Sequence, residues 1–187
     1  MSRFSRAVLA LSLVLAVPAA SAELNGVVMP ETREANGRQL ALNGIGSRVY
    51  SIFRVPVYVA GLYLEERSSD AASILTSPAT KLVHMQALYA AGRDDLVGAW
   101  TTSFQDACRP PCSLPVQQVE AFNRLMTDVK AGDTHTFVFQ PDRVDVLMNG
   151  ARLGSISGNG FSQLLLSTWI GAAPPTPELK RALLGLR

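Results

Sequence analysis

The chain has 187 residues, 48% of them hydrophobic and 17% charged, with a formal net charge of +2. Arg3 and Arg6 account for that whole excess, since the other 15 Lys and Arg match the 15 Asp and Glu. A neutral, apolar chain of this length is one globular domain with a sizeable core, and it carries no basic footprint for a nucleic-acid backbone.

The first residues read as a targeting segment. Arg3 and Arg6 precede an apolar run over residues 7–17, and Ala20-Ser21-Ala22 is a small-residue cleavage pattern. This is the layout of a secretory signal peptide, 1–22, cleaved after Ala22. The run is shorter than the roughly 20 residues a membrane helix needs. No later segment is long and apolar enough to cross a bilayer, so no membrane span is expected.

Residues 24–29 are apolar and read as an opening strand, and 30–37 as a polar turn. Residues 39–43 read as a strand that reverses through the glycine turn 44–46. Arg48 follows that turn directly. A permanent cation beside an apolar stretch needs solvent or an anionic partner, so Arg48 is either a surface arginine or an anion holder at the mouth of an apolar pocket. Residues 49–64 are apolar on both alternating faces, the mark of a strand covered on both sides, with Pro56 indicating a bulge or an edge.

Residues 70–76 form a short helix, 81–89 a strand, and Asp94 and Asp95 suit the first turn of a helix carrying Leu96, Val97, Trp100 and Phe104. That helix stops at Cys108-Arg-Pro-Pro-Cys112. In an oxidising compartment the two cysteines default to a disulfide staple; a redox pair or metal site is the functional alternative. A helix follows from Pro115, with Val116, Val119, Phe122, Met126 and Val129 at helical spacing and Gly132 at its end. Three strands come next, over 135–140, 143–148 and 151–156, with Asn149-Gly150 as a hairpin turn. Residues 158–170 form a helix apolar on most sides, and Thr176-Pro177-Glu178 caps a last one. The pattern is one α+β domain, an antiparallel sheet with helices packed mainly on one side.

Asn43-Gly-Ile-Gly-Ser-Arg48 followed by Val57-Tyr-Val-Ala-Gly-Leu-Tyr-Leu-Glu65, and at the far end Thr168-Trp-Ile-Gly171 followed by Pro177-Glu-Leu-Lys-Arg-Ala-Leu183, together resemble the chalcone isomerase-like family, in its exported bacterial branch. The resemblance runs over most of 23–187 and implies the chalcone isomerase-like fold and a periplasmic or secreted location. In the enzymes of this family a phenolate adds to an enone, and the arginine after the glycines stabilises the anionic oxygen. Arg48 matches that arginine and Thr168 matches the threonine before Ile-Gly, so both are candidate catalytic residues. Thr168 also falls on the inward helix face, where its hydroxyl has the alternative of bonding its own helix carbonyl.

The chain departs from the enzymes elsewhere. Tyr58 stands where they have a threonine, and no Tyr/Asn pair seven residues apart occurs on the helix over 93–104. Other branches of the family bind fatty acids, with the arginine and a tyrosine holding the carboxylate. The resemblance therefore implies a non-catalytic binder of a small amphipathic or aromatic ligand at Arg48, Tyr58 and Thr168. An isomerase acting on an enone-like substrate and a protein-interaction module are the alternatives. No cofactor is expected. His84 and His135 lie on separate strands and could in principle ligate a metal or haem, but isolated strand histidines are more often ordinary strand residues. Trp100 and Trp169 read as core.

Overall fold

The computed structural model describes residues 21–50 and 55–186. Residues 1–20 of the expected signal peptide lie outside the described residues. A hairpin of β1 (Ser21–Leu24) and β2 (Val27–Pro30) comes first. A seven-stranded antiparallel sheet then runs in sequence order: β3 (Thr32–Ala35), β4 (Arg38–Tyr50), β5 (Val55–Leu64), β6 (Lys81–Ala87), β7 (Thr134–Phe139), β8 (Arg143–Met148) and β9 (Ala151–Ser157). The helices are α1 (Ala71–Thr76), α2 (Arg93–Ala107), α3 (Val116–Arg124), α4 (Asn159–Ile170) and α5 (Pro177–Leu183). The α+β expectation holds, with the helices on one face of a curled sheet.

Three Asn-Gly pairs set the hairpins. Asn25-Gly26, Asn36-Gly37 and Asn149-Gly150 all have positive φ at both residues, the geometry of the tight turn that matches strand twist. The first two correct the sequence reading: residues 24–29 are not one strand but the β1–β2 turn and its flanks, and 30–37 contains β3.

A larger correction concerns residues 44–46. Asn43-Gly44 makes no turn; β4 continues through it for 13 residues, and neither Gly44 nor Gly46 has positive φ. The glycines are there because α5 lies against them. A Cβ on Gly44 would collide with the Ala182 carbonyl oxygen, and one on Gly46 would meet Ala182 Cβ at 2.9 Å. The strand that returns antiparallel to β4 is β5, from Val55. Of the run 49–64, residues 49–50 thus end β4 and 55–64 form β5. The helix expected to reach Gly132 ends at Arg124. Beyond it Met126 and Val129 stay buried without helical backbone, and Val129 forms a bridge to Ala91.

The main core lies between sheet and helices. β5 is its central strand, buried from Tyr58 through Leu64, as its two apolar faces predicted. Trp100, Phe104, Phe122, Phe137, Phe161 and Trp169 interlock with ring centroids 5.1–5.9 Å apart. Such pairs contribute about 0.5–1.5 kcal/mol each beyond simple burial. A smaller core on the opposite face, around Met29, Leu40, Tyr63 and Leu82, is covered by the β1–β2 hairpin.

Candidate functional site

Side chains alternate along a strand, so a single extra residue moves every later side chain to the other face. Such a residue occurs in β4. Leu42 pairs with Tyr63 and Gly44 with Leu62, leaving Asn43 unpaired in a bulge. Leu40 and Leu42 face the hairpin core, whereas Gly44 and Gly46 face α5. Arg48 keeps their parity and so points to the helix side, directly opposite Tyr58. Asn43 is held in the bulge by three hydrogen bonds. Its Nδ2 donates to the carbonyls of Ser68 (2.9 Å) and Leu183 (2.8 Å), and its Oδ1 accepts from the Ser68 amide (2.8 Å).

A second bulge, on β5, follows at once. Arg48 pairs with Tyr58 but Val49 with Pro56, which leaves Val57 extra. This is the irregularity that Pro56 predicted. Val57 and its neighbour Tyr58 both line a cavity of about 570 Å³ between the end of the sheet, α2 and α4. Arg48 and Thr168 line it too, so the structure brings all three predicted ligand-contact residues to one cavity. Met85, Trp100 and Trp169 make much of its apolar wall. Tyr50, Val55 and Tyr89 are exposed apolar residues at its lip.

Within this wall Arg48 is the one lysine or arginine, and among the described residues it makes no ion pair. The Tyr58 hydroxyl is buried. Burial pushes its pKa up to about 12, against the opposing pull of the Arg48 guanidinium and a hydrogen bond with the Trp169 side chain. An indole nitrogen only donates, so toward Trp169 the Tyr58 oxygen is an acceptor, while the phenol as a group can also donate. Thr168 is arranged differently. Its Oγ1 donates to the Leu165 carbonyl of its own helix at 2.7 Å, so it offers the cavity lone pairs and no proton. The cavity therefore presents one fixed cation and one phenolic donor in a mostly apolar enclosure, with the exposed Asp95 carboxylate also in its lining but unpaired with Arg48, a combination suited to an oxyanion on an otherwise apolar molecule.

Trp169 and Trp100 were read from the sequence as core alone, and their part in the cavity was missed. The signal available was the position of Trp169 directly after Thr168, on a helix apolar nearly all round. Cys108 and Cys112 are disulfide-bonded with Cα atoms 5.1 Å apart, at the C-terminal end of α2 and away from the cavity lining.

The chain belongs to the chalcone isomerase-like family, whose model matches residues 21–185. Among solved structures it is similar to the crystal structure of an Arabidopsis thaliana fatty-acid binding protein, at 15% identity and a TM-score of 0.75, over 88% of this chain and 96% of that one. At that identity the likeness is one of fold. Curated proteins searched by sequence give no match.

Proposed function

We propose that this protein is an exported, non-catalytic binder of a fatty acid-like monocarboxylate. The carboxylate sits against Arg48 and accepts a hydrogen bond from the Tyr58 hydroxyl, while the tail lies along Val57, Met85, Trp100 and Trp169. The observation that carries this reading is a guanidinium with no carboxylate partner among the described residues, in the wall of a cavity lined almost wholly by apolar groups. The fatty-acid binding protein of the same fold supports it. Head-group bonding contributes roughly 1.5–3 kcal/mol and the tail about 0.8 kcal/mol per buried methylene, so the tail supplies most of the affinity and the arginine sets the direction. Export rests on the signal-peptide pattern of residues 1–22; cleavage after Ala22 leaves Glu23 and Leu24 of β1 paired with Val28 and Val27.

The test is calorimetric titration of delipidated protein with a sixteen-carbon saturated fatty acid and with the primary alcohol of equal length. Wild type should bind the acid roughly 10- to 100-fold more tightly than Arg48→Gln does, by the same head-group contribution, and should prefer it over the alcohol. Equal affinity of the two proteins for the acid refutes the reading. Ring closure of a hydroxylated enone by wild type, lost in Arg48→Gln, would replace it with the isomerase alternative.

A further inference from the structure

A second set of side chains lies in a row across the sheet, on its helix-facing side. Met85 on β6 is the register partner of His135 on β7, and His135 is the register partner of Met148 on β8. Register partners point to the same face, with Cβ atoms about 4.5–5.5 Å apart. The face is fixed by the neighbouring row, Val83, Phe137 and Val146, which belongs to the main core. The Cβ of a histidine thus stands between those of two methionines, whose flexible thioethers can reach its ring.

His135 is only 9% exposed, yet its Nε2 is buried and has no hydrogen-bond partner among the described residues. A buried polar atom of this kind calls for an explanation. His84 provides the contrast: equally buried on the opposite face, it is bonded through Nδ1 to Thr136 Oγ1 at 2.8 Å. Burial keeps His135 neutral, against the pull of Asp133, and neutral imidazole is the form that ligates metals. Met148 is held in place by Thr127, whose hydroxyl donates to its Sδ at 3.2 Å. Met85 lines the cavity and Met148 is partly exposed, so the row can be reached from two sides.

We propose that Met85, His135 and Met148 bind one soft monovalent metal ion, of which Cu(I) is the biological example. Thioether sulfur selects soft ions, and one imidazole with two thioethers is a low-coordinate neutral ligand set that suits Cu(I) and gives little to Mg(II), Ca(II) or Zn(II). Among the described residues no group of three His, Cys, Asp or Glu exists to hold a harder ion. This proposal does not depend on the fatty-acid reading, because it uses a different row of side chains and touches the cavity only through Met85.

The test is anaerobic competition of the purified protein with bicinchoninate for Cu(I), with native mass spectrometry for stoichiometry and copper X-ray absorption for ligand type. Wild type should retain one equivalent with sulfur and nitrogen scatterers. Met148→Leu should weaken retention at least tenfold and reduce the sulfur signal, and His135→Gln should weaken it further. Met148→Leu is nearly isosteric and decides the matter if His135→Gln fails to fold. Failure of wild type to retain Cu(I), unchanged retention in Met148→Leu, absence of sulfur scattering, or equal affinity for Zn(II) would each overturn the assignment.

Discussion

Asn43 determines which face of the sheet Arg48 occupies. The two are five residues apart in one strand, and the bulge at Asn43 turns the arginine from the hairpin core to the helix-side cavity. The same side chain ties β4 to Ser68 and to the end of α5.

Asn43→Ala removes three part-buried hydrogen bonds. At about 1 kcal/mol each, it should lower stability by roughly 2–3 kcal/mol. Urea denaturation at neutral pH measures this. Because the bulge loses its anchor, affinity for the cavity ligand should fall too. A variant with wild-type stability would mean the bulge is held by strand pairing alone.

Gly44→Ala tests the close approach of α5. Its Cβ would overlap backbone oxygen, which cannot rotate away as a flexible side chain can. The cost of such overpacking is about 1–3 kcal/mol or more, and α5 should loosen first. Hydrogen exchange should show faster exchange at the Leu183 and Leu184 amides, with β7–β8 unaffected. Gly46→Ala, facing a methyl and a leucine side chain, should be milder.

Much of this architecture was legible in the sequence because local patterns and tertiary needs agreed. The two-sided apolar run of β5, the Thr176 cap and the Asn149-Gly150 turn all appear as read. Asn43-Gly44 was misread because the same dipeptide serves two purposes, a left-handed turn in one place and room for a neighbouring backbone in another. Only the position of α5 distinguishes them, and that contact spans some 140 residues of chain. Arg48, Tyr58 and Thr168 could be named from the family pattern. Their arrangement could not, because it depends on two bulges that shift strand parity. The bond of Thr168 to its own helix carbonyl is one of the two readings its position allows, and it is the one that occurs; the Met85–His135–Met148 row is a product of register alone.

Tyr58→Phe separates head-group recognition from cavity shape. The ring stays and the donor is lost, so affinity for a carboxylate should fall by roughly tenfold or less, with affinity for the matching alcohol less affected. With a pKa pushed up to about 12, the wild-type phenol stays protonated throughout the ordinary working range. Carboxylate affinity should therefore be flat from about pH 7 to 10. A decline centred near pH 10 would place the hydroxyl in water.

Reduction of the Cys108–Cys112 disulfide should cost little. It closes a loop of only a few residues, for which the chain-entropy contribution is about 2 kcal/mol. Neither cysteine lines the cavity, so ligand affinity should be unchanged in the Cys108→Ser, Cys112→Ser double variant while its denaturation midpoint falls slightly. A loss of binding would tie the end of α2 to the shape of the cavity.

Acid should weaken the fold before the carboxylates titrate. His84 is buried, and burial, aided by the nearby Arg33 charge, pushes its pKa from 6.5 down to about 4. Below pH 6.5 the unfolded chain takes up a proton that folded His84 refuses. Its contribution is therefore fully present above pH 6.5 and is lost as pH falls toward 4. The full separation corresponds to roughly 3 kcal/mol. His135, also lowered by burial, acts in the same direction. Asp70, lowered by the Ser73 hydroxyl, and Asp133, lowered by the Lys130 amide, begin to lose their contributions only near and below their ordinary value of 3.8. Urea denaturation at intervals between pH 7 and 4.5 should thus show stability declining steadily, and His84→Gln, able to keep a bond to Thr136, should flatten most of that decline. An unchanged slope in the variant would show that His84 is hydrated enough to protonate in the folded state.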